Sequence, residues 1–182
     1  MKSLKEMTIE ELWELFPIIL VPHNTQWANW AKEEISSLTV LLSGYDTEIT
    51  HIGSTAISSI KAKPIIDILV EIPPDADIDK LRLLMESSGY ICMSSSTNRA
   101  SFNKGYTPQG YAERVFHIHF HRKGDNDEIY FRDFLLSRPD FAKEYEQLKL
   151  SLLPALKHNR DAYTEAKSSF IHQITALAKT SS

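Results

Sequence analysis

The chain has 182 residues, with 24 acidic and 20 basic side chains, a formal charge of −4 and one cysteine, Cys92. That length suits one domain with a sizeable core, and the acidic balance argues against an extended nucleic-acid partner, which needs a basic face. A single cysteine excludes an internal disulfide, no apolar run approaches the roughly 20 residues of a membrane span, and Leu12 to Val21 is too short and proline-broken for a signal peptide. A cytoplasmic protein with no membrane partner is expected.

Thr8-Ile-Glu-Glu11 reads as a capping box opening a short helix through Leu15 and Phe16. Pro17 and Pro22 follow, so residues 1–20 are expected to form an N-terminal helical extension and residues 21–182 the main domain. Trp27, Ala31, Ile35, Leu38 and Leu42 repeat at helical spacing, and Gly44 closes that helix. A strand is predicted over 48–52, then a turn with a short helix, then a strand over 64–72 halted by Pro73-Pro74. A helix over 77–88, a short strand over 90–93, and a hairpin of 100–106 with 113–122 come next. Helices over 127–137, 141–153 and 161–179 complete an α+β pattern: a mixed sheet, helices on one side and a helical C-terminal region.

The chemistry concentrates in two places. Gly53 suits a tight strand-to-helix turn, and Ser54 behind it is placed where free backbone N–H groups favour a phosphate. A plain helix cap is the competing reading of Ser54. Asp67 interrupts the apolar run Ile65-Ile66-Asp67-Ile68-Leu69-Val70, and a buried carboxylate is costly unless it is paired or holds a cation. Lys63, Arg99 or Arg114 are its candidate ion-pair partners. His117, His119 and His121 alternate on one strand face, with Phe116, Ile118 and Phe120 on the other. His117 and His119 could therefore join Asp67 as metal ligands, or simply line a polar pocket. Lys63, Arg99, Lys104 and Arg114 are candidate phosphate contacts. Tyr145, Tyr163 and Phe170 sit at helical spacings and read as core or groove, and Arg132 with Asp133 as a local ion pair.

The run His51-Ile-Gly-Ser-Thr, a spacer from Thr55 to Ile66, then Asp67 on a strand resembles the nucleotidyltransferase superfamily signature. The core His51-Ile-Gly-Ser-Thr-Ala with Lys63-Pro-Ile-Ile-Asp67-Ile-Leu-Val narrows the resemblance to the GrpB family. Trp27, Arg99 with Phe102-Asn-Lys104, His117-Ile-His119, Phe131-Arg-Asp-Phe134 and Tyr163…Lys167…Phe170-Ile171 are similar to that family too. The resemblance implies a nucleotidyltransferase-type fold, with Gly53 and Ser54 at the nucleotide phosphates and Asp67 on a divalent cation (Mg, Mn or Zn). Asp67 and Ser54 would be catalytic, and the substrate a nucleotide or other phosphate-bearing small molecule.

Two departures stand out. Leu69 occupies the place of the superfamily's second carboxylate, and Glu71, farther along the same face, is too distant to share one ion. His23-Asn24-Thr25-Gln26 replaces the usual residues before Trp27, which bears on how the chain enters the domain. Because of Leu69, two alternatives stand beside a metal-dependent nucleotidyltransferase. One is a catalytically degenerate domain that binds a nucleotide or coenzyme-A-type ligand. The other is a metal-dependent hydrolase built on Asp67 with His117 and His119.

Overall fold

The computed structural model describes residues 2–181. Helix α1 (Ile9–Leu15) opens on the Thr8 capping box: Thr8 Oγ1 accepts from the Glu11 N–H and Glu11 returns to the Thr8 N–H. Beyond it Phe16 and Ile18 are buried, and the Ile18 N–H bonds Lys157 O at 2.9 Å, tying this segment to the C-terminal region. Helix α2 (Gln26–Leu41) follows, then β1 (Glu48–Ile52), β2 (Ile66–Ile72), α3 (Ile78–Ser87), β3 (Ile91–Ser95), β4 (Arg99–Thr107) and β5 (Gly110–Arg122). Helices α4 (Asp127–Ser137), α5 (Pro139–Leu156) and α6 (Arg160–Thr180) end the chain.

The five strands form one mixed sheet in the order β1-β2-β5-β4-β3, with β2 and β5 parallel and the other neighbours antiparallel. Alternation sorts its side chains. Ile66, Ile68, Val70, Ile72, Phe116, Ile118, Phe120, Ala100 and Phe102 face α2 and α3, where Trp27, Ala31, Leu38, Leu81 and Met85 complete a core. Fully burying a side chain of this size contributes about 1.5–3 kcal/mol, so this face fixes the register. The opposite face carries Asp67, Leu69 and Glu71 beside His117, His119 and His121, paired residue for residue across β2 and β5. The C-terminal helices lie on that side. Arg132 of α4 donates to His51 O, Lys149 of α5 to Ser54 Oγ, and Arg160 of α6 to the Tyr106 hydroxyl. A second core of Ile57, Ile60, Phe131, Leu135, Ala142, Tyr145 and Ile174 holds these helices to the loop after β1.

Several expectations need correction in detail. The helix after Gly53 is a single 3₁₀ turn, Ser54–Ala56, too short for a helix dipole to favour an anion. Helix α5 begins at Pro139, which needs no N–H partner in the first turn, and runs through Pro154 near its end. The hairpin turns on two residues, Pro108 and Gln109, with a bulge between Lys104 and Tyr106.

Candidate functional site

Asp67 stands near the start of β2, opposite Ile52 on one neighbouring strand and His117 on the other. The chain reverses in front of it at Gly53, whose φ of 74° and ψ of −175° fall in a region that only glycine populates freely. A Cβ there would meet Asp67 Oδ2 at 2.7 Å. The glycine therefore serves both the turn and the close approach of backbone to carboxylate.

Two imidazoles hold the other carboxylate oxygen. His119 Nε2 lies 3.0 Å and His117 Nδ1 3.5 Å from Asp67 Oδ1. Burial alone would raise the Asp67 pKa, but these two hydrogen bonds and charges outweigh it and hold the carboxyl far below the usual range. Burial wins at His117, whose pKa is lowered. At His119 the opposing bond and charge of Asp67, helped by Glu128, exceed the burial penalty and raise it. Glu128 of α4 sits 3.7 Å from His121 Nδ1, and its Oε2 is buried without a hydrogen-bond donor. His51, bonded to Thr55 at 2.9 Å, is pulled down by burial to about 4 and is neutral at physiological pH.

One ligand atom from each of Asp67, His117 and His119 lies within 4.8 Å of the others. Donors around one ion at bonds of about 2.1 Å stand roughly 3–3.5 Å apart, so the two separations at Asp67 Oδ1 fit a shared cation. One carboxylate with two imidazoles suits Zn²⁺ or Mn²⁺ better than Mg²⁺, which prefers oxygen alone.

A cationic wall faces this group. Lys149, only 3% exposed, donates to Ser54 Oγ at 3.0 Å and to Lys61 O at 2.6 Å. Ser54 also hydrogen-bonds Tyr145. Lys167 lies over the Tyr163 ring at 4.6 Å and Lys63 over the same ring at 5.8 Å. Burial, reinforced by the neighbouring cations, pushes Lys63 and Lys149 down to about 7. Lys167 is also lowered by burial, against the pull of Asp67. The Tyr163 hydroxyl is buried with no hydrogen-bond partner. Arg160 completes the wall, adding to the depression of Lys63. These cations outnumber the carboxylates that act on them, Asp67 and Glu146, and leave this side of the cleft with an excess of positive charge.

The structure thus brings together Gly53, Ser54, Lys63, Asp67, His117 and His119. It places the other predicted phosphate contacts elsewhere. Lys104 is in register with Phe116 on the α2 side of the sheet, where it pairs with Glu34 at 2.8 Å. Arg114 pairs with Glu33 of α2 at 2.5 Å and lies over Trp30. Arg99 shares the histidine face but is bound bidentately by Asp125, with both contacts at 2.7 Å. Nor do Lys63, Arg99 or Arg114 pair with Asp67, whose partners are the histidines. Sequence reasoning missed Lys149, Arg160 and Tyr106, and gave Lys167 no role, because on a helix or hairpin they read as ordinary surface residues. A groove of about 410 Å³ between α4 and the end of α6, lined by Asn126, Tyr130, Phe134 and Ala178, contains none of these groups. The convergence of charge and ligands marks the Asp67 cleft rather than that groove.

Comparisons with known proteins agree with this architecture. The chain is 34% identical over 164 residues to a UPF0157 protein of Pseudomonas aeruginosa, covering 88% of this chain and 67% of the relative. It is 33% identical to the Glutamate-rich protein GrpB of Alkalihalophilus pseudofirmus, over 86% of this chain and 93% of that one. The crystal structure of the conserved protein GrpB from Enterococcus faecalis superposes with a TM-score of 0.73 at 29% identity, over 88% of this chain and 96% of that one. The Cid1 poly(U) polymerase, solved with MgGTP bound, superposes with a TM-score of 0.51 at 12% identity, over 78% of this chain and 44% of the polymerase. That likeness is one of fold alone: the chain shares the mixed-sheet architecture of that polymerase. Among the described residues no helix is long and apolar enough to cross a membrane. The GrpB protein family matches residues 17–177, nearly the whole chain, and with the sheet order and relatives above it follows that this chain belongs to the GrpB family.

Proposed function

We propose that the protein binds the polyphosphate of a nucleotide against Lys63, Lys149 and Lys167, beside one divalent cation held by Asp67, His117 and His119, and transfers the nucleotidyl group to an acceptor. One observation carries this reading: a carboxylate pinned between two imidazoles and the Gly53-Ser54 turn, with the buried Lys149 and Lys167 and the half-buried Lys63 near it. A bound cation supplies Lewis-acid neutralisation at a phosphoryl oxygen. Lys149, Lys167 and Arg160 meet the charge that develops on pyrophosphate as its bond to the α-phosphorus breaks. Ser54, held by Lys149 and Tyr145, offers a hydroxyl at the same phosphates. Tyr145 and Tyr163 keep water from the lysines and so strengthen each charge contact. A cytoplasmic setting suits a nucleotide substrate.

Leu69 favours a second reading, binding of a nucleotide or coenzyme-A-type ligand without turnover. It is fully buried on the Asp67 face and cannot ligate the second ion of two-metal chemistry. Labelled nucleoside triphosphates with Mg²⁺, Mn²⁺ or Zn²⁺ separate the two, read by calorimetry and by pyrophosphate release. Metal-dependent binding and turnover, both lost in Asp67→Asn with the fold intact, support transfer. Binding without turnover supports the second reading. No metal-induced rise in melting temperature and no nucleotide binding in the natural protein would refute both.

A further inference from the structure

We propose that Asn103 binds an uncharged, hydrogen-bonding group of the acceptor, an amide or an alcohol, on the β4 side of Asp67. Its place as an acceptor contact rests on the transfer reading given above; its place as a ligand contact does not.

The sheet register sets this position. Asn103 of β4 pairs with His117 of β5, and His117 with Asp67 of β2. Residues paired across strands share a face, so the three form one row on the histidine side of the sheet. The neighbours of Asn103 along the strand, Phe102 and Lys104, point to the α2 side. Asn103 is only 7% exposed, yet among the described residues its carboxamide has no hydrogen-bond partner. A carboxamide brings one acceptor oxygen and two N–H donors. Burying such a group unpaired is costly, and an apolar side chain would fill the place without that cost. The group is thus held ready for a partner from outside the chain.

The surroundings on β3 and β4 select for an uncharged group. Strand β3 carries no charged side chain, and the cations of β4 are committed elsewhere. Arg99 is held bidentately by Asp125, and Lys104 pairs with Glu34 on the opposite face. In the next row the Ser101 and Ser94 hydroxyls meet at 2.6 Å; one donates to the other, which leaves the second proton for a further bond. An anionic group there would meet the carboxamide oxygen and the charge of Asp67 with no cation from either strand. An amide or alcohol satisfies donor and acceptor together. In-line transfer puts the acceptor on this side. Lys149, bonded to Ser54 beyond β1, would hold the leaving pyrophosphate on the β1 side of Asp67, so the attacking oxygen enters from the β4 side. That oxygen forms the new bond to the α-phosphorus, the bond to pyrophosphate breaks with its electron pair, and the acceptor proton passes to solvent.

Acetamide and acetate are the probes, since they share a shape and differ in charge. Titrations followed by nitrogen-15 NMR at the backbone and side-chain amides of Asn103 are expected to show saturable shifts with acetamide. Acetate should bind there about tenfold more weakly. Asn103→Val, strand-favouring and close in size, should lose the acetamide response at its backbone amide while keeping pyrophosphate affinity. No saturable acetamide shift in the natural protein, an equal response to acetate, or the same acetamide response in Asn103→Val would overturn the proposal. The first two outcomes are read in the natural protein and do not depend on the variant folding. If the protein turns over no nucleotide, the transfer reading falls, while the acetamide titration still decides whether Asn103 is a ligand contact.

Discussion

Gly53→Ala tests whether backbone and carboxylate are built as one unit. Two separate costs arise. At φ 74° and ψ −175° an alanine pays the penalty of a glycine-only conformation, about 1–3 kcal/mol. Its Cβ would also stand 2.7 Å from Asp67 Oδ2, 3.1 Å from Asp67 Cβ and 3.2 Å from Cγ. Asp67 cannot swing aside freely, because His119 and His117 hold its other oxygen, so overpacking adds about 1–3 kcal/mol. The sum, about 2–6 kcal/mol, is a large share of a typical domain's 5–15 kcal/mol. Urea unfolding of the natural protein, Gly53→Ala, Asp67→Ala and the double variant separates the two costs. Removing the carboxyl relieves the overpacking but not the backbone penalty, so the double variant is expected to be more stable than the sum of the singles by about 1–3 kcal/mol. Strict additivity, or a Gly53→Ala protein within about 1 kcal/mol of the natural one, would refute the reasoning.

Two further outcomes follow from the charges. The Lys149 ammonium titrates at about 7 when folded, against an ordinary lysine value of 10.5, so between those pH values the unfolded chain binds more protons and stability rises with pH. From about pH 7.5 to 9.5 urea unfolding should show a gain of up to about 2.7 kcal/mol from this lysine, a gain that Lys149→Met removes; parallel profiles would contradict the burial argument. Lys104→Met should destabilise the fold by about 1–3 kcal/mol, the removal of a partner from the nearly buried Glu34 discounted for the partial exposure of the lysine. It should leave pyrophosphate affinity untouched, and a weakened affinity would return Lys104 to the anion site.

The sequence made the local features legible and the long-range ones opaque, for physical reasons. Glu48–Ile52, the Thr8 cap and the two-faced alternation of β5 depend on neighbours within a few residues, and each appears as read. Gly53 and Asp67 were legible as a pair because a fixed spacer separates turn from strand. Lys104 was misplaced although the information was present: it sits opposite Phe116, itself assigned to the core. Applying the hairpin register to the charged residues would have sent Lys104 to the α2 face. Tyr106 defeats that same rule, since the register shifts between Lys104 and Tyr106 and its hydroxyl comes to lie 2.7 Å from His117 Nε2, while a glycine in a strand signals such an irregularity only in outline. Lys149 and Lys167 were hidden for another reason. A lysine on an amphipathic helix is normally a solvated charge, and only the packing of α5 and α6 against the rest of the fold, with Lys149 against Ser54, buries these two.

Leu69 and the lysines bear on one another. In two-metal transfer a second carboxylate exists to hold a second cation, and that cation neutralises the leaving pyrophosphate. Leu69 removes the ligand, but the charge it would have recruited is present in another form. Lys149 and Lys167 bring ammonium groups to the Ser54 side of the cleft, and Asp67 with two histidines gathers three groups that could hold one ion. A second acid at position 69 would sit beside His119, its neighbour across the strand pair. With an apolar residue there, the carboxylates acting on these lysines are Glu146 at Lys149 and Asp67 at Lys63 and Lys167, and in the proposed reading a phosphate supplies the remaining counter-charge. The depressed lysine pKa values are the energetic trace of that arrangement: burial among like charges disfavours the ammonium form, and an anion beside it restores the proton. Replacing carboxylate by leucine is therefore consistent with a cleft that exchanges its second metal for protein cations, rather than one that has only lost a ligand.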